Sequence, residues 1–464
     1  MINYNTNIEN LKKYKHIHMI GIGGTSMSGI AEILLNLGHT VTGSDIAYSS
    51  SIKKLEDSGI RVFMPHNANN IIGADLVVYS AAIKKDNPEM VAAQNNKIPI
   101  LERCEILGEL TEMFSETIAI SGTHGKTTTS SMISLCFLED NKNPSIQVGA
   151  DITNLDSNYR VGDSEYFIIE ACEYVESFLK LRPKTEVILN IEEDHLDYYT
   201  GITHIKSSFT KFIRLLPSFS GLLVINGDDI NCVEVMKNAN SKVVTYGLNN
   251  LEADFIAKNI TFDNNGFGEF DVFRKNKFYL HVKLSVPGIH NVSNALACIA
   301  TCCEHKLSEQ AIINGLEKFT GAARRFEFKG KFNNVSIFDD YAHHPSEISA
   351  TLSALRGKKY NKSWVVFQPH TYTRTKAFLN EFAKSLLRCD NIIITDIYAA
   401  REKDPGDISS IDLVNKIKEL GKEAKYFSNF EEVVKYIKEN ATDDDIVLTL
   451  GAGTVTNIGS MLAN

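Results

Sequence analysis

Short apolar runs alternate with longer amphipathic stretches along the 464-residue chain, and many of the runs end in glycine or in polar side chains. Runs of this length are typical of buried strands, and the stretches between them have the spacing of helices that cover a sheet. The pattern therefore predicts an α/β protein with largely parallel sheets. Strands are predicted at 16–20, 40–43, 76–80, 98–101, 118–120, 166–169, 187–189, 222–225, 337–338, 365–367, 392–394 and 446–450.

The predicted elements fall into three α/β segments, which agrees with the roughly three domains that a chain of this length favours. We expect the domain limits at residues 1–115, 116–321 and 322–464. Within the second segment, residues 254–282 alternate polar and apolar side chains in short pieces. That alternation predicts an antiparallel appendage to an otherwise parallel sheet.

The clearest chemical signal is the loop Gly-Thr-His-Gly-Lys-Thr-Thr at residues 122–128, directly after an apolar run. Gly122 and Gly125 allow backbone N–H groups to surround phosphate oxygens. Lys126 can neutralise phosphate charge, and Thr127 can reach a magnesium ion at the start of a helix. A Walker A loop has four residues between its first glycine and the Gly-Lys pair, whereas Gly122 leaves only two. The loop therefore predicts ATP binding by a shortened phosphate loop.

A second glycine loop, Gly21-Ile-Gly23-Gly24-Thr-Ser26, lies between strand 16–20 and a helical pattern at 27–37. With Asp45 after the next predicted strand, it resembles a dinucleotide-binding fingerprint in which Ser26 replaces the third glycine. The residues leave three alternatives open. The loop could bind a nicotinamide dinucleotide, another phosphate-bearing ligand, or no ligand.

Polar side chains follow several predicted strands, and in parallel sheets such groups gather at one edge. Strand 166–169 runs into Glu170, and strand 187–189 runs into Asn190–Asp197. A lone histidine is usually structural, but His195 lies beside acidic residues at a strand end, which favours a magnesium-site role. The strand ends of the third segment carry Asp339, Asp340, Tyr341, His343, His344, Gln368, His370, Arg374, Asp396 and Thr454.

Charge and cysteine usage narrow the class of protein. The net charge of −9 argues against a nucleic-acid or acidic-membrane binder, whose surface would be basic, but it allows anionic small substrates. Eight cysteines without a CxxC pair indicate reduced packing residues, and a core helix explains the one cluster, Cys302-Cys303, better than a metal. Without an apolar run of membrane-spanning length or a signal peptide, we expect a cytoplasmic protein that does not insert into membranes.

Six sequence motifs of this chain occur together, and in the same order, in one protein family. They lie at residues 22–29, 122–128, 190–197, 287–295, 324–326 and 339–345. From about residue 15 to residue 460 the chain resembles the ATP-dependent Mur ligases. The resemblance implies an α/β fold with a Rossmann-like N-terminal domain, a central P-loop ATPase-like domain with a parallel sheet, and a C-terminal Rossmann-like α/β domain.

The resemblance also implies an activity. The expected enzyme joins L-alanine to the lactyl carboxylate of UDP-N-acetylmuramate in peptidoglycan precursor synthesis, with ATP and Mg²⁺ as cofactors. The carboxylate would be phosphorylated, and the amine would attack the acyl phosphate. Because a carboxylate is a poor electrophile, phosphorylation supplies the leaving group that amide formation needs.

Roles carry over position by position as implications of the resemblance. Catalytic roles fall on Lys126, Glu170, His195, Arg325 and His343. ATP contacts fall on Gly122, Thr123, His124, Gly125, Lys126, Thr127, Thr128, His290, Asn291, Asn294, Arg324, Arg325 and Asp340. Magnesium ligands would be Thr127, Glu170 and His195. Contacts with the nucleotide sugar and the amino acid fall on Gly21, Gly23, Gly24, His66, Ser80, His343, His370 and Arg374.

Three places depart from the family pattern. Thr25-Ser26 stands where a glycine is usual, Cys172 replaces an aspartate between two glutamates, and Thr371 replaces a common arginine. Several sibling ligases carry a carboxylated lysine after the motif histidine. That position falls near Phe209 here, which favours the alanine-adding branch.

Four alternative functions stay open at this point. The nearest is a murein-peptide recycling ligase, which attaches a tripeptide to the same nucleotide sugar. The others are a folate polyglutamate ligase, a nicotinamide-dependent oxidoreductase built on the loop at 21–26, and a non-catalytic ATP-binding switch. We expect a monomer or a weak homodimer.

Overall fold

Three β-sheets follow one another along the chain in a computed structural model, which describes residues 11–463. Residues 1–10 and 464, which the first and third predicted domains include, lie outside the described residues. We propose the limits 115/116 and 321/322 for the domains, because they fall between secondary-structure elements. No helix among residues 11–463 combines the length and the apolar character that crossing a membrane requires.

The N-terminal domain contains a parallel sheet of five strands in the order β3-β2-β1-β4-β5, which is the order of a Rossmann-type nucleotide fold. Its strands are β1 His16–Ile20, β2 Thr40–Ser44, β3 Arg61–Phe63, β4 Leu76–Tyr79 and β5 Ile100–Glu102. Its α-helices are α1 Thr25–Asn36, α2 Ser50–Asp57, α3 Pro88–Asn95 and α4 Arg103–Met113. Short 3-10 helices lie at Leu11–Lys13 and Ala68–Ile71.

The central domain contains a sheet of ten strands in the order β15-β14-β13-β12-β11-β10-β6-β9-β7-β8. The strands are β6 Glu116–Ser121, β7 Ser145–Ile152, β8 Ser157–Arg160, β9 Tyr166–Glu170, β10 Thr185–Ile188, β11 Leu222–Asn226, β12 Lys242–Gly247, β13 Phe255–Phe262, β14 Phe267–Arg274 and β15 Lys277–Pro287. The helices are α5 Lys126–Glu139, α6 Ile202–Ile213, α7 Ile230–Met236, α8 Ile289–Glu304 and α9 Glu309–Lys318, with a 3-10 segment at Tyr174–Lys180.

The third domain contains a sheet of six strands in the order β16-β17-β21-β18-β19-β20, parallel except for the pair β16–β17. The strands are β16 Glu327–Phe332, β17 Val335–Asp340, β18 Ser363–Phe367, β19 Asn391–Ile394, β20 Ala424–Tyr426 and β21 Ile446–Leu450. The helices are α10 Pro345–Leu355, α11 Tyr372–Ala377, α12 Leu379–Leu386, α13 Ser410–Glu419, α14 Phe430–Asn440 and α15 Thr456–Ala463.

The fold class predicted from the apolar runs is confirmed, and so is the antiparallel appendage, which is formed by β13, β14 and β15. Some boundaries were wrong by one or two residues: β10 begins at Thr185 and ends at Ile188, and α1 begins at Thr25 rather than residue 27. The sequence pattern did not predict β3, β7, β8, β12, β16 and β20. These strands are short, lie near sheet edges or are rich in polar residues, so they lack a continuous apolar run.

The apolar cores connect the domains unequally. One cluster of buried side chains runs from Ile17 and Met19 of the first domain to Ala119 and Phe167 of the central domain. The two clusters of the third domain contain only residues from that domain. The first two domains therefore share a core, whereas the third is held to the central domain by other contacts, which are mostly between polar groups.

One carboxyl group lies inside the apolar core without a partner among the described residues. Glu186 on β10 is fully buried beside Ala119 and Leu223, and neither of its carboxyl oxygens accepts or donates a hydrogen bond. Burial raises the pKa of Glu186 well above its usual range. The folded protein therefore holds a proton here that the unfolded chain loses at a lower pH.

Replacing Glu186 with glutamine is expected to reduce the pH dependence of stability. In the native protein the free energy of unfolding falls as pH rises above the pKa of the unfolded carboxyl, because the folded state must then keep a proton or bury a charge. Glu186→Gln should remove that decline and be more stable at pH 8 by at least about 1 kcal/mol. Urea denaturation between pH 5 and pH 8 measures the effect. Glu165→Gln, at an exposed position, is the matched control, and equal pH slopes in native protein and E186Q would contradict the expectation.

Candidate active site

The phosphate loop connects β6 to α5 and requires glycine at both of its glycine positions. Gly122 and Gly125 have φ angles of 138° and 85°, in the region that L side chains rarely adopt. A Cβ atom on Gly125 would lie 2.7 Å from Oδ1 of Asn294, so the loop and the start of α8 approach each other closely. The first turn of α5 therefore points its free N–H groups into the space that the two elements enclose.

Lys126 lies folded over this loop. Its Nζ donates to the carbonyl oxygens of Gly122 and Thr123 at 2.5 and 3.1 Å and pairs with Glu173 at 2.9 Å. Burial by itself lowers the pKa of Lys126, but the carboxylate of Glu173 outweighs it, and the net shift is upward. The amine is therefore a permanent cation at the phosphate loop.

His124 supplies a second cation to the same loop. Its Nδ1 lies 3.2 Å from Glu347 of the third domain, and its Nε2 lies 3.6 Å from Glu192 of the central domain. Burial opposes protonation, but these two carboxylates raise the pKa of His124 to about 10. Contact with the third domain therefore contributes to the charge of the phosphate loop.

The expected magnesium ligands lie around Gly149 on β7. A Cβ atom on Gly149 would meet Oε2 of Glu170 at 2.8 Å and Oγ1 of Thr127 at 3.1 Å, so both oxygens face the same small space. His195 and Gly149 both line a larger cavity that is described below. Nε2 of His195 lies 3.7 Å from Glu173 and 3.9 Å from Asp194. A carboxylate and a hydroxyl beside a phosphate loop suit Mg²⁺, which keeps several waters and phosphate oxygens as ligands. These residues fit the ion.

A cavity of about 240 Å³ lies between α8, the phosphate loop and the third domain. It is lined by the expected ATP residues His124, Gly125, Thr128, His290, Asn291, Asn294, Arg325 and Asp340, and also by Asn190, Asn226 and Glu347. Nδ1 of His290 is buried there without a partner among the described residues, and burial lowers the pKa of His290 to about 4. A neutral imidazole with a free nitrogen can hydrogen-bond a heterocyclic base.

The neighbouring arginines Arg324 and Arg325 have different surroundings. The guanidinium of Arg324 pairs with Asp339 at 3.0 Å and donates to the carbonyl oxygens of Gly451 and Gly453. Arg325 approaches Glu347 at 4.0 Å, contacts the ring of Tyr341 and acts on the buried carboxyl of Asp340. It also lines both the smaller cavity and the larger one described next. The arrangement favours Arg325 for a nucleotide contact and Arg324 for holding the third-domain strand ends together.

A larger cavity of about 660 Å³ lies between all three domains. The first domain contributes Thr25 and Ser51, and the central domain contributes Thr123, Lys126, Thr127, Glu170 and His195. The third domain contributes Arg324, Arg325, Tyr341, His343, His370 and Arg374. Residues that are far apart in the sequence therefore face one space, with the phosphate loop on one side and two third-domain histidines on the other.

The two third-domain histidines are neutral at physiological pH. Burial lowers the pKa of His343 to about 4 and that of His370 to about 3. The ring of His343 lies 5.7 Å from that of His370, and its Nδ1 is 3.0 Å from the carbonyl oxygen of Tyr341. Neutral imidazoles at a reacting centre can accept a proton or orient an amine.

Arg374, which is expected to contact the substrate, lines the larger cavity and is also engaged in a buried ion pair. Its Nε and Nη2 both contact Oδ1 of Asp194, at 2.9 and 2.7 Å, and both side chains are buried. Burial opposes ionisation of Asp194, but the guanidinium holds the pKa of that carboxyl far below its usual range. The pair joins the third domain to the residue before His195, so Arg374 can position this part of the cavity wall.

Glu347 is a site residue that sequence analysis missed. One of its oxygens approaches His124, and the other accepts the N–H groups of His343 and His344 at 3.0 and 3.2 Å. Its position three residues after His344, in a capping box at the start of α10, was the available signal. That signal predicts a helix start, and only the folded chain shows the contact with the phosphate loop.

The N-terminal glycine loop reaches the larger cavity through Thr25, whereas Gly21, Gly23 and Gly24 are not part of its lining. The N–H of Gly23 donates to Asp45 at 2.9 Å, so the acidic residue that could bind a ribose is used within the loop. Ser80 lies across from Gly21, where a Cβ atom would come within 3.2 Å of its hydroxyl. His66 hydrogen-bonds Ser44 at 2.9 Å, beside the buried carboxylate of Glu89. Gly24 precedes α1 as its N-cap residue.

Thr25 and Ser26, which depart from the family pattern at the start of α1, join the first domain to the central one. Gln147 on β7 donates to the carbonyl and hydroxyl oxygens of Ser26 at 2.6 and 2.9 Å, and Asn158 donates to the carbonyl oxygen of Thr25 at 2.9 Å. Ser26 also accepts from Arg103 at 3.1 Å. A glycine in place of Ser26 would lose the hydroxyl contacts.

Three family models match the chain in order. The model described as "Mur ligase family, catalytic domain" matches residues 16–115, "Mur ligase middle domain" matches 120–302, and "Mur ligase, glutamate ligase domain" matches 324–453. Together with the three-domain α/β fold and the shortened phosphate loop, these matches define the class of protein. The chain belongs to the Mur ligase family.

Individual relatives extend over nearly the whole chain. The chain is 52% identical over 449 residues to the UDP-N-acetylmuramate–L-alanine ligase of Acetivibrio thermocellus, covering 97% of this chain and 96% of that protein. It is 48% identical to the enzyme of the same name from Clostridium botulinum, covering 97% and 98%. The solved structure of the UDP-N-acetylmuramate–alanine ligase from Thermotoga maritima matches with a TM-score of 0.80 at 30% identity, covering 97% and 98%.

A murein peptide ligase from Psychrobacter arcticus has a similar structure. It matches with a TM-score of 0.71 at 25% identity, covering 97% of this chain and 98% of that one. The likeness is weaker in both measures than that of the Thermotoga maritima enzyme.

Proposed function

We propose that this chain is an ATP-dependent ligase that joins L-alanine to the carboxylate of UDP-N-acetylmuramate, with release of ADP and phosphate. The observation that carries the proposal is the cavity between the three domains, in which Lys126 and Thr127 face Arg325, His343 and His370. Full-length similarity to ligases named for this reaction supports it. The reaction adds the first amino acid of the peptidoglycan stem, and we expect it to take place in the cytoplasm.

The chemistry must bring two anions together, because the carboxylate attacks the terminal phosphate of ATP. Lys126 and His124 place two cations at the phosphate loop, and the N–H groups at the start of α5 add further donors. Arg325 approaches from the third domain and borders both the nucleotide cavity and the reaction cavity. These groups lower the repulsion between the anions and orient the phosphate for transfer.

The magnesium site is part of the proposal. Thr127, Glu170 and His195 would hold the ion, and a bound Mg²⁺ would supply charge neutralisation at the phosphates. Glu170 is already oriented by the N–H of Gly149, which donates to its Oε1 at 2.5 Å. Cys172 lies on the same cavity wall and is uncharged in place of the usual aspartate. The carboxyl groups on this cavity wall are those of Asp151, Glu170, Glu173, Asp194 and Glu347.

The acyl phosphate formed in the first step is attacked by the amine of the amino acid. The amine must be neutral to attack, and it must lose a proton as the amide bond forms. His343 lies on the reaction cavity as a neutral imidazole whose Nδ1 donates to the carbonyl oxygen of Tyr341, so its Nε2 can accept a hydrogen bond from the amine. Nδ1 of the neutral His370 accepts from Arg374, so His370 presents an N–H donor at Nε2. Asp194 cannot take this role, because Arg374 holds it in an ion pair.

An adjoining cavity of about 380 Å³ is a candidate for the amino-acid site. Its lining includes Asp197, His370, Thr371 and Arg401. Arg401 is exposed, and no acidic group pairs with it among the described residues, so it is available to a carboxylate. Tyr174 occupies one oxygen of Asp197 through a hydrogen bond of 2.7 Å. A positive and a negative group that line one cavity suit a zwitterion.

The decisive experiment measures phosphate release from ATP with UDP-N-acetylmuramate, with L-alanine, glycine, L-serine or the murein tripeptide in parallel reactions. The proposal expects rapid release with L-alanine and little release when either the nucleotide sugar or the amino acid is left out. A preference for the tripeptide would assign the chain to the recycling reaction. Release that does not depend on the nucleotide sugar would indicate an ATP-binding switch.

Gel filtration and the absorbance of the purified protein complete the test. We expect a monomer or a weak homodimer, and no bound nicotinamide. A nicotinamide absorbance band would support the oxidoreductase alternative and count against the ligase.

A further inference from the structure

Three thiols from two helices meet in the core of the central domain, away from the candidate active site. Cys136 lies on α5, and Cys298 and Cys302 lie one helical turn apart on α8. The sulfur of Cys298 is 3.7 Å from that of Cys136 and 3.8 Å from that of Cys302, and all three sulfur atoms lie within 4.8 Å of one another. Cys303, the sequence neighbour of Cys302, is not part of this triad.

The spacing of the triad is that of sulfur ligands around one centre. Bonds of about 2.3 Å from a central ion to sulfur place neighbouring sulfur atoms about 3.5 to 4 Å apart. Two of the three separations already have this value, so small side-chain rotations suffice to close the third. Packed thiols in simple contact also reach such distances in pairs, but three that converge on one point create a site with three ligands.

The surroundings decide which ion such a site favours. All three cysteines are fully buried within an apolar cluster, and α9 covers them through Ile312, whose carbonyl oxygen is 3.5 Å from the sulfur of Cys136. Burial of a net charge there is costly. Three thiolates around a divalent cation carry a net negative charge, whereas three thiolates around trivalent arsenic are neutral. The apolar core therefore favours the trivalent ion.

The protons of the triad are shared unequally. Burial raises the pKa of Cys298 and Cys302. Burial acts in the same direction on Cys136, but hydrogen bonds from the other two thiols hold its pKa below the usual range. All three sulfur atoms lie within reach of one centre.

We propose that Cys136, Cys298 and Cys302 form a binding site for a thiophilic ion that takes three sulfur ligands, of which trivalent arsenic is the matching class. Arsenous acid reacts with the three thiols: three As–O bonds and three S–H bonds break, three As–S bonds form, and three water molecules leave. No atom changes its oxidation state. The site is independent of the proposed ligase function.

Occupancy would tie together the two helices that border the nucleotide cavity. α5 begins at Lys126, and α8 begins at Ile289, beside His290 and Asn291. Cys136 lies about 15 Å along α5 from Lys126, so the bound ion would not touch the phosphate loop. We therefore expect the bound ion to raise the melting temperature and to leave nucleotide binding in place.

The test uses sodium arsenite and the full-length protein in its reduced form. After incubation and gel filtration, elemental analysis should find about one arsenic atom per chain, with a higher melting temperature than the untreated protein. Cys298→Ala should retain no arsenic and show no temperature shift. Cys232→Ala and Cys389→Ala, which remove buried cysteines outside the triad, should bind arsenic as the native protein does.

A measurement on the native protein keeps the test decisive if Cys298→Ala does not fold. Alkylation in denaturant without removal of arsenic should modify three fewer cysteines than in the untreated protein, and peptide mapping should identify them as the triad. Absence of retained arsenic in the native protein, retention by a folded Cys298→Ala variant, or protection of other cysteines would each overturn the proposal.

Discussion

Replacing Lys126 with alanine is expected to lower phosphate release by about 10³-fold or more. Lys126 is the first residue of α5, and its side chain lies over the phosphate loop. Its positive charge is needed most when the carboxylate and the transferring phosphate share one small space. The expected nucleotide-sugar residues Gly21, Gly23, Gly24, His66 and Ser80 do not line the cavity that contains Lys126, so binding of the nucleotide sugar should stay nearly unchanged. Steady-state phosphate release and calorimetric titration with UDP-N-acetylmuramate measure the two effects separately.

Two controls accompany the Lys126 variant. Lys318→Ala removes an exposed lysine at the end of α9, which pairs at 2.7 Å with Glu139, the last residue of α5. This variant should leave turnover unchanged. The melting temperature of Lys126→Ala should show that the protein is folded. Near-normal turnover in a folded Lys126→Ala protein would remove the central support for the proposed function, since phosphate transfer would then not need the lysine of the loop.

Replacing Arg374 with alanine is expected to reduce kcat/KM by about 10²-fold or more, because Asp194 would be left buried without its partner. Leaving a buried carboxylate without its counter-charge costs about 3–5 kcal/mol, so the contact between the third domain and the central domain would be less stable. The lowered pKa of Asp194 adds a pH dependence. Its stabilising contribution is complete above the pKa of the unfolded carboxyl and is lost as pH falls below it, so the native docked state should weaken in acid.

A double variant separates the ion pair from other roles of Arg374. Arg374→Ala combined with Asp194→Asn removes both charges, so it should be less unstable to urea than Arg374→Ala alone. Arg388 is an exposed arginine of the same domain, and it donates a hydrogen bond to the hydroxyl oxygen of Ser353. Arg388→Ala should behave like the native protein. If Arg374→Ala and the double variant have the same stability, the pair does not hold the domains as described.

The placement of these groups also explains how the domains are joined. The first two domains share an apolar core, whereas the third meets the central domain through charged and polar contacts such as Arg374–Asp194, His124–Glu347 and Ser346–Glu192. Such contacts are individually weaker than a continuous core and depend on close geometry. A domain attached in this way can move away from the phosphate loop at a lower cost than the first domain can. We therefore expect substrates to enter when the third domain moves.

The sequence predicted most of the architecture and the phosphate loop. The apolar runs are local signals, and the glycine spacing at 122–125 reports a backbone conformation that local residues impose. The same local reasoning placed Glu170 and His195 at strand ends, where parallel strands bring them to the loop. Short or polar strands such as β7 and β8 escaped detection, because their pairing with neighbouring strands supplies the order that their own residues lack.

The sequence by itself determined the α/β class, the phosphate loop and the kinds of side chain at the strand ends. Each of these three features depends on residues that are close together in the chain. Tertiary structure alone decided the partners of those side chains. It paired Arg374 with Asp194, brought Glu347 to His124, and placed Cys136 beside Cys298 and Cys302. The physical reason is that a charge, an ion pair or a shared ligand site depends on distances between atoms. Folding sets those distances between residues that the sequence separates by a hundred positions or more.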